Sequence, residues 1–146
     1  MASLAAGRRV LDVFSYVGAW GVQAAVAGAT EVCCIDSSGP ALALAARNAA
    51  LNGVDSRMRF IEGQAVAEIQ RLATAGERFD IVVLDPPAFI KRRKDQKTGE
   101  HAYQKLNREA MALLADEAII VSASCSMHLS ETGLLEIVQH AAAQSG

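Results

Sequence analysis

Apolar residues along this chain fall into short runs, and each run is followed by an alanine-rich or amphipathic stretch of helical length. RRVLDVFS (8–15) is β-rich, and GAWGVQAAVAGA (18–29) follows it with alanines and a closing Gly28 that suit a helix with a glycine C-cap. The alternation returns in TEVCCID (30–36) and PALALAARNAALNG (40–53), where Pro40 opens a helix and Asn52-Gly53 closes it. A third unit pairs MRFIEGQ (58–64) with AVAEIQRLATAG (65–76). FDIVVLDPP (79–87) is a continuous apolar run, as expected of a strand buried on both faces, and its prolines stop it. Beyond the charged stretch KRRKDQKTGE (91–100), the pattern predicts a helix over 102–116, a strand over 118–124 and a last helix over 130–144.

About five strands alternating with helices predict an α/β, Rossmann-like, doubly wound parallel sheet, because parallel neighbours need right-handed helical crossovers. Ligands of such sheets bind at the carboxyl ends of the strands, beside the switch in strand order. Those ends carry DVFSYVGAWG, IDSS, EGQA, LDPPAF and SASCS, which hold most of the unusual residues.

Composition narrows the function. The 146 residues, 51% of them hydrophobic, suffice for one core and one domain spanning 1–146. A net charge of −2 excludes a globally basic nucleic-acid binder, so a polyanion would have to be met by a local patch. No apolar run approaches the roughly 20 residues of a membrane span, and no signal peptide is visible, which predicts a cytoplasmic protein. Three cysteines, two of them adjacent, suggest neither a disulfide framework nor a CxxC metal site, and the three histidines lack ligand spacing. Cys33 and Cys34 read as core residues; no metal is expected.

Each rim motif has a structural reading beside a chemical one. Gly18 lets backbone approach a ligand, yet the spacing around Gly18 and Gly21 is not the G-x-G-x-x-G of a dinucleotide site. Asp36 ends the second strand about 20 residues beyond that turn, placed either for two ribose hydroxyls or for helix capping. Asp85 precedes Pro86 and Pro87, which hold it and the following backbone rigidly, for substrate positioning or only to end a strand. Phe89 stacks on a base or caps the core. Lys91, Arg92 and Arg93, with Lys94 and Lys97, meet nucleic-acid phosphates or form a solvated loop. Cys125, between two serines where an apolar run turns polar, is a nucleophile or a small packing residue.

In their order, LDVFSYVGAWG, IDSS, VVLDPPAF and SASCS resemble class I S-adenosylmethionine-dependent methyltransferases, and more narrowly the bacterial 23S ribosomal RNA cytosine-C5 methyltransferases of the large-subunit methyltransferase I family. The resemblance covers nearly the whole chain, and DPPAF with SCS is its specific part. It implies S-adenosylmethionine as cofactor, with Asp12, Phe14, Tyr16 and Gly18 around the methionine moiety and Asp36 on the ribose. Gln64, with Ala65 beside it, stands where the family usually has an aspartate for the adenine amino group; an amide oxygen accepts that bond without charge assistance. Ribosomal RNA is the implied substrate, held near Asp85, Pro86, Pro87, Phe89 and the basic run. LADEAII departs from the proline-glycine turn common before the last strand.

The resemblance also implies a catalytic core without the family's upstream RNA-binding and linking domains or its C-terminal β-hairpin. An open sheet edge would then invite a homodimer. Cytosine C5 is a poor nucleophile until a thiolate adds to C6, and Cys125 is the cysteine expected at a strand's carboxyl end. Two alternatives stand beside this: methylation of another base position or of a small molecule without a covalent step, and a cofactor-binding domain without catalysis.

Overall fold

The computed structural model describes residues 2–146. A short helix α1 (Ala2–Ala5) leads into strand β1 (Arg9–Val13), helix α2 (Ala19–Val26), β2 (Glu31–Asp36), α3 (Gly39–Leu51), β3 (Met58–Glu62), α4 (Ala65–Thr74), β4 (Phe79–Leu84), α5 (Gln96–Met111), β5 (Leu114–Ser122) and α6 (Glu131–Ser145). The strands form one parallel sheet in the order β3-β2-β1-β4-β5, the doubly wound architecture expected. Order reverses between β1 and β4, so the switch point lies where Asp12's loop meets Asp85.

Residue alternation along each strand divides the core. Val10, Val32, Cys34, Ile81 and Val83 pack beneath the α1–α3 layer, while Leu11, Val13, Cys33, Ile35, Val82 and Leu84 face α4 and α5. Cys33 and Cys34 therefore point to opposite faces of β2, both buried and free. Burial pushes the Cys33 thiol up to about 11 and raises Cys34 further, so both are packing residues. At the amino ends of the strands, Arg9 bridges Glu31 and Glu77, and Arg59 bridges the same two carboxylates, tying β1, β2, β3 and the approach to β4. This brace sits opposite the rim where the motifs collect.

The expected elements differ from those found around α5. The helix expected over 102–116 begins at Gln96, inside the charged run, and ends at Met111; the strand expected over 118–124 begins at Leu114. Gly99 explains the early start. Buried within α5, it lies so close to the loop after β4 that a Cβ there would meet Phe89 O at 2.9 Å and the Ile90 side chain. A glycine inside the charged stretch thus lets a helix rest on backbone. At the other end, Phe79 pairs with Leu114 and Ile81 with Ile119, so β5 carries extra residues opposite β4. Asp116 and Glu117 are exposed in this bulge, Glu117 with φ 57°, which takes the place of a turn.

Replacing a helical glycine by alanine ordinarily stabilises by about 1 kcal/mol. Crowding a packed contact costs about 1–3 kcal/mol. Gly99→Ala is therefore expected to lower stability, seen as a lower urea midpoint at unchanged slope. A raised midpoint would show that α5 does not rest on the Phe89–Ile90 backbone.

Candidate active site

The loop leaving β1 is strained. Phe14 (φ 62°) and Tyr16 (φ 49°) are left-handed without being glycine. Neighbouring hydrogen bonds hold them there: Ser15 N–H to Ile35 O (3.0 Å), Gly18 N–H to Ser15 O (2.8 Å) and Tyr16 N–H to Asp36 Oδ2 (2.9 Å). The other Asp36 oxygen accepts from Ser38 N–H at 2.9 Å. The carboxylate is thus fixed by two backbone donors, and each oxygen keeps a lone pair for a further one.

Phe14, Asp36, Gln64 and Ala65 line one small cavity with Ile35, Ser37 and Gly63, at the carboxyl ends of β1, β2 and β3. Gln64 opens α4 without using its side chain as a cap, and its amide makes no side-chain hydrogen bond among the described residues. A fixed acid able to accept from vicinal hydroxyls, a free amide and an aromatic wall match the chemistry of an adenosine. At about 20 Å³ the cavity is much smaller than a nucleoside.

The other expected cofactor residues lie apart from it. Tyr16 is exposed on the surface. The missing Cβ of Gly18 serves packing, since one there would stand 3.0 Å from Ala45 Cβ on α3. Gly18 also borders a wide groove of about 590 Å³ between α2 and α3 that includes none of Asp36, Asp85 or Cys125. Its polar lining is Gln23, Asn48 and Asn52, the two asparagine amides donate to the backbone carbonyls of Val17 and Asn48, and no lining residue is titratable, so size alone does not make it the site.

Asp12 is fully buried on the α2 face of β1. Its Oδ2 accepts from Gly21 N–H at 2.9 Å, and Oδ1 has no hydrogen-bond partner among the described residues. Gly21 must be glycine for this approach, because a Cβ would meet Cys34 Sγ at 2.7 Å and Asp12 Oδ2 at 3.2 Å.

The second half of the rim joins the ends of β4 and β5. Asp85 is exposed, and its Oδ2 accepts from Trp20 Nε1 at 3.2 Å. Pro86 is buried, Pro87 exposed. Cys125 is exposed, and its Sγ lies 3.8 Å from Pro86 O, which sets the thiol directly against the Asp-Pro-Pro turn. Phe89 packs on Tyr103, with centroids 4.7 Å apart, and edge-on to Phe14 at 6.3 Å. Its ring is part of the core, and the aromatic side chain beside Asp85 with surface to offer is Trp20, 40% exposed. Lys91, Arg92, Arg93, Lys94 and Lys97 are all exposed just beyond; Arg92 pairs with Asp95, and the others make no ion pair among the described residues. The histidines are exposed, no cluster able to hold a metal occurs among the described residues, and no helix there is long and apolar enough to cross a membrane.

Trp20, Tyr103, Ser124 and Ser126 were not singled out by the sequence. Trp20 meets Asp85 only through the β1–β4 neighbourhood, which no local pattern reports. Tyr103 is fully buried where α5 crosses the two loops, and its hydroxyl contacts both serines flanking Cys125.

Burial raises the Asp12 carboxyl from 3.8 to about 7; the Gly21 N–H opposes this, and the Asp85 and Asp36 charges add to it. A folded value above the unfolded one means stability that is full below about pH 4 and lost as pH rises through about 7. Asp12→Asn keeps the Gly21 acceptor without the charge. Its unfolding free energy is expected to fall less than wild type between about pH 5 and about pH 8, measured by urea titrations across that range. Parallel pH profiles would contradict the assignment.

Comparison with known proteins agrees with this architecture. The family described as conserved hypothetical protein 95 matches residues 1–145. Ribosomal RNA large subunit methyltransferase I of Serratia proteamaculans is 35% identical over 142 residues, covering 97% of this chain and 36% of that protein. Ribosomal RNA large subunit methyltransferase of Deinococcus radiodurans is 38% identical over 144 residues, covering 98% and 35%. This chain therefore spans about a third of the length of the curated relatives it matches. Among solved structures, the SAM-dependent methyltransferase of Agrobacterium tumefaciens superposes with a TM-score of 0.76 at 27% identity, over 92% of this chain and 44% of that one. By family, relatives and fold, the chain belongs to the conserved hypothetical protein 95 family, among the class I S-adenosylmethionine-dependent methyltransferases.

Proposed function

We propose that residues 1–146 form the catalytic domain of an S-adenosylmethionine-dependent methyltransferase acting on C5 of a cytosine in ribosomal RNA, with Cys125 as nucleophile. The relatives' names support the substrate class and the cofactor. The observation that carries the reading is the place of Cys125, an exposed thiol against the Asp-Pro-Pro turn at the switch-point rim.

The cofactor, when bound, supplies a methyl group on a sulfonium centre. Phe14, Asp36, Gln64 and Ala65 hold its adenosine end: Asp36 accepts from the ribose hydroxyls and the Gln64 amide oxygen from the adenine amino group. Asp12 shapes the methionine side from beneath by fixing the α2 turn, with Tyr16 and Gly18 in the loop above it. Asp85, whose Oδ2 is taken by Trp20, offers Oδ1 to the N4 amino group of cytosine. Pro86, Pro87 and Phe89 keep that acceptor rigid, and Lys91, Arg92 and Arg93 meet the phosphates.

Cys125, once it has given up its proton, adds to C6; the S–C6 bond forms and the C5=C6 π electrons move onto C5, which becomes able to accept a methyl group. With the methyl group on C5 and its donor sulfur left as a neutral thioether, a base takes the C5 proton; the C–H pair re-forms C5=C6 and the C6–S pair leaves on sulfur, restoring the ring and the thiolate.

β5 pairs only with β4 among the described residues, and its other side is open to a second copy in a homodimer. A sharp monomer in sedimentation velocity at micromolar concentration would refute this part.

In the full-length protein, Cys125→Ala is expected to abolish methyl transfer while calorimetric binding of S-adenosylhomocysteine is retained. RNA carrying 5-fluorocytosine should form a covalent adduct with wild type and none with Cys125→Ala, because fluorine at C5 blocks release. Methylation without an adduct would move the reading to a non-covalent base methyltransferase. An absence of binding heat would move it to a scaffold domain.

A further inference from the structure

Tyr103 Oη sits at the centre of a buried hydrogen-bond knot. Phe89 N–H donates to it at 3.4 Å, Ser124 Oγ donates to it at 2.9 Å, and Ser126 Oγ lies 2.6 Å away. A phenol accepts at most two hydrogen bonds and donates one. With both lone pairs taken, Tyr103 must donate to Ser126, whose oxygen also accepts from Ile90 N–H at 3.2 Å. Ser126 N–H in turn reaches Ser124 Oγ at 3.0 Å. One hydroxyl on α5 thereby fastens the loop after β4, through Phe89 and Ile90, to the segment after β5, through Ser124 and Ser126.

Cys125 lies between those serines. Ser124 is half-buried and Ser126 buried, both with their hydroxyls in the knot, while Cys125 between them is exposed, with its thiol against Pro86 O at 3.8 Å. We infer that Tyr103 is a positioning residue for Cys125, acting through the two serine hydroxyls, and that it sets the thiol's place opposite Asp85. The inference rests on the nucleophile reading above for its chemical consequence, although not for its geometry.

The experiment uses the full-length protein with Tyr103→Phe, and reads two quantities beside the thermal midpoint. The first is the rate of Cys125 alkylation by iodoacetamide in the folded protein, where Cys33 and Cys34 are buried. The second is adduct formation with 5-fluorocytosine RNA, together with KM for S-adenosylmethionine. A thiol no longer held outward should alkylate more slowly, by about threefold. Adduct formation should fall by about tenfold or more, with KM little changed, since a small displacement of a reacting group is enough for such a loss.

A lowered midpoint with unchanged alkylation and unchanged adduct formation would overturn the inference, because a purely structural tyrosine behaves that way. If Tyr103→Phe does not fold, Ser124→Ala and Ser124→Thr decide: alanine should reproduce the losses and threonine, which keeps the hydroxyl, should not. Equal behaviour of the two would again overturn it. Slowed alkylation in Tyr103→Phe with no adduct from wild type would sustain the positioning role and remove the cytosine chemistry.

Discussion

The parallel pairing of β1 with both β2 and β4 is the constraint from which the rest of the molecule follows. Once every strand runs the same way, every carboxyl end leaves on one edge, and a chain that winds outward from β1 in both directions must part its loops there. Val13 pairs with Leu84 and Leu84 with Ser122, so the chain emerges from β1, β4 and β5 in adjacent register. Asp12's loop, the Asp85 turn and the segment bearing Cys125 are brought together by that register alone. The opposite edge carries the Arg9, Glu31, Arg59 and Glu77 brace.

Polar saturation then fixes what the sheet assembles. Two left-handed non-glycine residues cost of order 1–3 kcal/mol each. Hydrogen bonds contribute about 1 kcal/mol each, so the three that hold the Phe14–Gly18 loop offset much of that cost. One of the three ends on Asp36, so the carboxylate at the end of β2 also restrains the loop after β1. Asp12 stores the opposite kind of tension. It is a buried carboxyl with one unpartnered oxygen, and it keeps α2 seated against β1.

Much of this was legible in the sequence, and the parts that were not share a cause. Short apolar runs and alanine-rich stretches placed β1 to β4 and the first helices closely, because those segments carry their own boundary signals, such as Pro40 and Gly53. Phe14, Asp36, Gln64 and Ala65 do share a cavity, as loops at the carboxyl ends of neighbouring strands should. The α5 region failed because Gly99 and the Asp116–Glu117 bulge look like turns locally, and only contact with another segment shows otherwise. The roles of Trp20 and Phe89 were hidden for the same reason. The aromatic residue after the prolines had two readings, base platform or core cap, and it packs on Tyr103, while a tryptophan 65 positions upstream reaches Asp85.

The serines flanking Cys125 were visible in the sequence but silent in it, since a hydroxyl beside a thiol carries no direction until its partner is known. Tyr103 supplies the direction. A side chain can act on a ligand only if the fold has not already consumed it, and in Ser-Cys-Ser the fold consumes the two hydroxyls and leaves the thiol. Exchanging the order to put cysteine in the knot would bury a weak donor where a strong one is required and expose a hydroxyl too poor a nucleophile for C6. The alternation of residue types therefore suits both demands: the knot takes oxygen on both sides, and the chemistry proposed for the rim calls for sulfur between them.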